Sequence, residues 1–326
     1  MRNTLQARKI SLASGSGGKE MQELIQSLGI NYRGKWKECD NDSAALDIGK
    51  QKIVFTTDSF VVDPIFFPGG DIGKIAVCGT INDLCVVGAT PLGLSLALVI
   101  EEGFGYDQLE KIMNSIRRMS TETQVPIVTG DTKVVPKGKL DKIMINTSGV
   151  GISKKILIEK PNPGDKIIVS GGIGEHAAAV LSKRFEYKTD IRSDAKPIKD
   201  EMNKLINLIK LAKDPTRGGL AASLNEICQK NKTGMIIYEN SVPIKKQVRA
   251  IAEILGIDTY QMASEGRFVC IAKPENEKKV LIILRRYNRM AATVGTVTKG
   301  DKVIVQTELG KRIMPMPTGR IVARIC

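Results

Sequence analysis

FTTDSFVVDPIFFPGGDIGKIAVCGTINDLCVVGATPLGLSLALVIEEGF, residues 55–104, passes from strand character to helix character with hardly a break in its apolar content. Its first residues complete the run IVFTT (53–57), which has strand length and leads into Asp58. GDIGKIAVCGTINDLCVVGA (70–89) then reads as a helix. PLGLSLALVI (91–100) is about half the length that spans a bilayer, so it belongs to a folded interior.

The alternation continues outward. PIVTG (126–130), IMINTSGVGI (143–152) and KIIVSG (166–171) have strand length, while YDQLEKIMNSIRRMS (106–120) and EHAAAVLSKRF (175–185) read as helices. GMIIYE (234–239) and RFVCIA (267–272) look like strands, and KQVRAIAEILG (246–256) and ENEKKVLIILRR (275–286) look like helices. Together they predict a mixed α/β protein, α/β or α+β in class. EKPNPGDK (159–166) sets two prolines and a glycine between strands, which puts a boundary just before it, near residue 155. The expected division is 1–155, 156–314 and a tail, 315–326. No short repeat, coiled coil or low-complexity segment interrupts it.

With 326 residues, 42% hydrophobic and 26% charged, the chain has the composition of a globular protein and room for two domains. Its 49 Lys and Arg against 35 Asp and Glu give a formal charge of +14. Seven Phe, six Tyr and one Trp, without a nucleic-acid module, argue against a nucleic-acid partner. The basic pairs 154–155, 117–118, 278–279 and 285–286 are dispersed, mostly on expected helix faces, as solvated surface or as contacts for an acidic partner or anionic ligand. MRNTLQARKISLA lacks the apolar core of a secretory leader, so the expectation is a cytoplasmic protein without membrane contact.

The six cysteines (39, 78, 85, 228, 270, 326) are scattered and form no C-x-x-C pair, which argues against a disulfide framework and a structural zinc site. Cys326 is the last residue, where a side chain buries little, and prenylation needs a cysteine four residues from the end. It reads as a free thiol. MPMPTGRIVARIC (314–326) holds two prolines and a glycine and should stay largely extended, its last twelve or so residues reaching roughly 40 Å.

ASGSGGKE (13–20) resembles a phosphate-binding P-loop but has Ala13 at the first glycine position and Glu20 in place of the hydroxyl residue, and no strand precedes it. Gly17 and Gly18 are left with two readings: a turn whose N–H groups wrap a phosphate, or an ordinary turn opening the helix KEMQELIQSLG. Aspartates recur at element ends beside small residues in NDSAAL (41–46), TTDSF (56–60), INDLC (81–85) and VTGDTK (128–133). Several such carboxylates could clamp a nucleotide triphosphate through Mg²⁺, although each alone also fits a turn or helix cap. DPTRGGLAASLNEI (214–227) places Asp214 and Arg217 before a Gly-Gly helix entry, which suits an anion site or a loosened helix start.

The long stretch 55–104 together with IVTGDTKVV, DPTRGGLA, SEGR and a terminal R-I-C resembles the HypE family of hydrogenase maturation proteins, within the aminoimidazole ribonucleotide synthetase (PurM-like) superfamily. The resemblance runs from about residue 11 to residue 326. It implies two α/β domains, the first pairing with its twin in a homodimer through an intersubunit β-barrel, with ATP between the domains. It also implies an activity, ATP-dependent carbamoyl dehydratase, in which a carbamoyl group on the terminal cysteine becomes a thiocyanate that supplies cyanide ligands for [NiFe]-hydrogenase. The implied partners are the carbamoyltransferase HypF and the iron-carrying HypC–HypD complex.

Residue by residue, the resemblance implies Cys326 as carrier, Glu265 as the proton-handling group and Lys133 on the phosphates or developing charge. It implies Asp42, Asp58, Asp83 and Asp131 for Mg²⁺-ATP, Asn82 and Arg217 lining the same site, and Gly17 and Gly18 in the glycine loop. His176, the only histidine, stands where the family reads G-D-H-G and is expected to be structural. Three departures stand out: Ser14 replaces a histidine, Ala177 a glycine and Ala323 a proline, and none removes a group that the chemistry requires. Two further enzyme readings, selenophosphate and purine synthetases of the same superfamily, want a loop cysteine or a ribotide pocket, and residues 11–20 hold no cysteine. A non-catalytic HypE-like scaffold is the remaining alternative.

Overall fold

Residues 143–153 alternate inward and outward along their whole length, and this period of two builds the first sheet. The computed structural model describes residues 9–29, 33–319 and 324–326. In it, β1 (Ala44–Ile48), β2 (Gln51–Phe60), β3 (Thr90–Glu101), β4 (Ile127–Val135) and β5 (Ile143–Ser153) form a sheet in the order β1-β2-β5-β3-β4. β2 runs antiparallel to β5 from Lys52↔Ser153 to Phe60↔Ile145. β4 lies parallel to β3, which demands a crossover. α3 (Tyr106–Thr123) supplies it. PLGLSLALVI thus lies within the twelve-residue strand β3, its start broken by a register shift at Pro91/Gly93.

α1 (Lys19–Ser27) stands apart near the N-terminus, whereas α2 (Ile72–Val86) is buried on nearly every side. A helix that is apolar all round needs cover all round. The sheet covers one side and the second half of the chain the other. Asp71 caps α2 by accepting the Lys74 N–H at 3.0 Å. Gly73 lets α3 approach so closely that a Cβ there would lie 2.7 Å from the Ile112 carbonyl oxygen.

The second sheet contains β6 (Lys166–Val169), β7 (Ile209–Lys213), β8 (Gly234–Tyr238), β9 (Val269–Ala272), β10 (Ala292–Thr298), β11 (Val303–Gln306) and β12 (Lys311–Ile313). Their order is β12-β11-β8-β10-β6-β9-β7, all antiparallel except β8–β11. α4 (Glu175–Arg184), α5 (Lys199–Leu205), α6 (Gly219–Asn231), α7 (Lys246–Leu255) and α8 (Glu277–Tyr287) pack around it. One apolar cluster runs from the first sheet through α2 to α4, α5 and Ile325, and a second lies between α6 and the second sheet. The fold is the mixed α/β, two-domain arrangement expected from the sequence, and among the described residues no helix is long and apolar enough to cross a membrane.

The tail is more tightly held than its composition suggests. Pro317 accepts the Lys19 N–H at 3.0 Å, and the Gly319 N–H donates to Glu20 at 2.8 Å, so α1 clamps the root of the tail. Residues 324–326 then lie along 61–63 with Ile325 buried. Ala323 falls outside the described residues.

Candidate active site

A cavity of about 860 Å³ opens between the two sheets, and separate parts of the chain deliver carboxylates to it. Asp58 comes from β2, Asp42 from the turn before β1, Asp83 from α2, Asp214 from the end of β7 and Glu265 from the loop before β9. A neutral hydroxyl and two cations, Lys213 and Arg217, hold the cluster together. Thr56 Oγ1 lies 2.9 Å from Asp83 Oδ2 and 2.8 Å from the Asp42 carbonyl oxygen. Lys213 pairs with Asp42 and, at 3.1 Å, with Glu226. Burial works against the Lys213 charge, but Asp42 and Glu226 more than offset it and hold its pKa up.

The carboxylates are crowded enough to resist ionisation. Burial, then Asp58 and Asp214, push Asp83 well above the usual range. Burial and then Asp42 push Asp214 up to about 8. Burial also raises Asp58, and burial, then Asp214 and Asp194, raise Glu265. Buried like charges of this kind call for a cation or for protons. Asp42 Oδ2 and Glu265 Oε1 are buried without a hydrogen-bond partner, which leaves acceptor capacity aimed into the cavity. Among the described residues, no three metal-binding side chains form an all-protein metal site. The arrangement fits Mg²⁺ ions that take one or two carboxylates each and fill their remaining positions with phosphate oxygens and water.

Cys326 lies at this cavity beside Glu265 and Arg217. Burial, and then the Glu265 carboxylate, raise the thiol's pKa. The negative charges that Cys326 and then Asp58 carry when ionised raise the pKa of the Arg217 guanidinium, against the opposing effect of burial. Of the residues singled out in the sequence, Asp42, Asp58, Asp83, Arg217, Glu265 and Cys326 therefore meet in one cavity.

The others lie elsewhere. Asn82 is buried away from the cavity: its Nδ2 donates to the Glu265 and Lys196 carbonyls at 3.0 and 3.1 Å, and its Oδ1 accepts the Ile198 N–H. Instead of lining the site as expected, Asn82 fixes the backbone that carries Glu265, because α2 turns this side chain toward the second domain. Gly17 and Gly18, at φ +86° and +78°, do not line the cavity either. They press against Arg217 and Pro317, where a Cβ would fall 2.8 and 2.2 Å from carbonyl oxygens. The loop serves as a close-packed seat for Arg217 and the tail root.

Asp131 and Lys133 pair with each other at 2.8 Å on the exposed strand β4, and within one chain neither lines the acidic cavity. Asp214, read from the sequence only as part of an anion-binding helix entry, belongs to the acidic cluster, and Lys213 and Glu226 join it. Asp214 carried a signal in its D-P-T-R-G-G setting; Lys213 carried none.

The family model described as AIR synthase related protein, N-terminal domain, matches residues 40–153, and that of the C-terminal domain matches residues 162–308. Fold and site thus define a protein of the AIR synthase-related class. Carbamoyl dehydratase HypE of Rhizobium leguminosarum bv. viciae is 40% identical, over 98% of this chain and 95% of its own length. HypE in a crystal structure of the HypE–HypF complex is 40% identical with a TM-score of 0.84, covering 90% of this chain and 99% of that one. HypE crystallised in complex with ATP is 37% identical with a TM-score of 0.80, covering 98% and 100%. The chain belongs to the HypE family of hydrogenase maturation proteins.

Proposed function

We propose that this protein is an ATP-dependent carbamoyl dehydratase that converts a carbamoyl group on Cys326 to a thiocyanate, which supplies cyanide ligands for [NiFe]-hydrogenase. The observation that carries the reading is the meeting of the terminal thiol with Glu265 and Arg217 in the cavity that holds the aspartate cluster. The alternative superfamily activities lack an equivalent reason for a thiol at this place.

The chemistry must expel an amide oxygen, and hydroxide leaves poorly. Transfer of the γ-phosphoryl group of ATP to that oxygen, with loss of one N–H proton, gives an S-linked imidate phosphate and ADP. Loss of the second N–H proton and departure of phosphate then form the C≡N bond. The balance is S–C(O)NH₂ plus ATP giving S–C≡N, ADP and phosphate. Glu265 would take up a proton near the sulfur, and its raised pKa makes its ionised form a stronger base than an ordinary glutamate. Arg217 would steady the developing negative charge. Asp42, Asp58, Asp83 and Asp214 would hold Mg²⁺, which when bound neutralises the triphosphate and polarises the transferring group.

Residues 1–155 and 156–314 would act as the two domains flanking the nucleotide, with 315–326 as the carrier arm. Partners would be the carbamoyltransferase HypF as donor and the HypC–HypD complex as acceptor. The exposure of residues 128–134 on the edge strand β4, with Val128 and Val134 turned to solvent, supports a homodimer built through that strand. Asp131 and Lys133 of a second copy would then complete the cavity of the first. Phosphate release tests the activity: with ATP, a carbamoyl donor and HypF, the protein should release about one phosphate per carbamoyl group installed, and Cys326→Ala should release none above background. Turnover indifferent to the carbamoyl donor would favour a different superfamily activity, and no turnover would favour the scaffold.

A further inference from the structure

The last three residues are held by every backbone carbonyl they possess. Arg324 O accepts from the Asp63 N–H at 3.1 Å and from Arg184 Nη2 at 2.7 Å, and Cys326 O accepts the Val61 N–H at 3.3 Å. Between them, Ile325 O lies 2.9 Å from His176 Nε2. That bond differs from the rest in being made by a fully buried side chain. The Arg324–Asp141 pair beside it is on the surface, where ion pairs contribute little.

The geometry determines the tautomer. A carbonyl oxygen only accepts, so Nε2 must carry the proton. Burial lowers the histidine's pKa against an opposing effect of Asp194, which keeps the ring neutral and leaves Nδ1 an acceptor. Ser193 Oγ sits 2.8 Å from Nδ1 and already accepts the Ala195 N–H at 3.1 Å, so its own hydroxyl proton is available to Nδ1. Phe67 meets the ring edge-on at 5.2 Å and stops it from turning. The ring is thus fixed in orientation and protonation by groups outside the cavity.

We infer that His176, set as the Nε2–H tautomer by Ser193, is the latch that seats the terminal segment, making it a positioning residue for Cys326. The bond is made to the peptide carbonyl immediately before the carrier residue, so its loss leaves Cys326 seated only by the longer Val61 N–H bond to its own oxygen, with the acidic cluster untouched. Departure of the tail toward a donor must break it, and return must remake it. Its catalytic half rests on the dehydratase reading; its structural half does not.

The sole histidine makes the test direct. In the untagged protein, ¹⁵N-detected imidazole resonances should show a neutral Nε2–H ring whose proton exchanges slowly with solvent. His176→Phe keeps the ring volume and removes the bond. It should raise the rate of Cys326 alkylation by iodoacetamide roughly five- to tenfold, the population change expected for loss of one buried hydrogen bond. It should also slow dehydration of the pre-carbamoylated protein by about tenfold through misplacement of the reacting group. His176→Gln can present an N–H at the same place and should recover most of both effects. An Nδ1–H ring, alkylation of His176→Phe at the parent rate, or a Gln variant no better than Phe when both melt like the parent would each overturn the latch. Should neither variant fold, the tautomer in the parent protein decides. Alkylation and tautomer involve neither ATP nor a carbamoyl group, so failure of the dehydratase reading would leave them standing.

Discussion

Asp214 sits fully inside the protein between Asp42, Lys213 and Asp58, and its pKa near 8 makes the nucleotide-free protein sensitive to pH. A carboxyl whose folded pKa is raised above its unfolded value binds more protons when folded, so stability is greatest below the unfolded pKa and declines as the pH rises. For Asp214 the decline is complete once the pH passes about 8. Asp83 and Glu265 shift in the same direction and add to it. Asp214→Asn cannot ionise, so the drop in melting temperature between pH 5 and pH 8, measured in chelator without nucleotide, should shrink relative to the parent. An unchanged drop would mean that Asp214 is not part of the strained cluster. Mg²⁺-ATP should stabilise the parent most at pH 8, where the carboxylates are ionised. The aspartates before β1, in β2 and in α2 were legible as candidates from their places beside small residues. Their crowding was not, because it depends on where four distant segments converge, and Lys213 lacks any local mark of its burial.

At the scale of elements, the periodic patterns carried most of the fold. Residues 70–89 form α2 at Ile72–Val86, and 143–152 form β5 at Ile143–Ser153, because a buried all-apolar helix and a half-buried alternating strand leave plain traces. The glycine loop had two readings, a turn around a phosphate or an ordinary turn opening a helix, because the spacing of its glycines says nothing about whether an incoming backbone or a phosphate fills the space; in the folded chain the backbones of Arg217 and Pro317 lie against it. Strand β4 shows the same limit: PIVTG (126–130) reads as a strand, but the sequence reveals neither that the strand runs on to Val135 nor that residues 128–134 are bare in a single chain. If Lys133 serves the cavity of a second copy across this edge, a mixed dimer of Lys133→Ala with Cys326→Ala should regain activity that neither parent variant has. One of its two sites would then be whole, so recovery should approach about half of the parent dimer. A mixed dimer as inactive as its components would place Lys133 with its own chain or outside the reaction.

In the whole molecule, two domains flank an acidic cavity, and a carrier arm is rooted under α1 and latched by its end beside Glu265. The composition of 314–326 suggested an extended, far-reaching tail, while the structure presents the docked end of that excursion. Proline and glycine content reports freedom in the unfolded segment, not the contacts available to it on return. The measurement that bears most directly on this arrangement is the intact mass of the protein after incubation with the carbamoyl-transferring partner, first without ATP and then with Mg²⁺-ATP. The parent should gain one carbamoyl group and then lose the mass of one water, both changes mapping to Cys326, and Cys326→Ala should show neither. A carbamoyl adduct on Cys39, Cys78, Cys85, Cys228 or Cys270, or a carbamoylated Cys326 that keeps its water when ATP is added, would contradict the account.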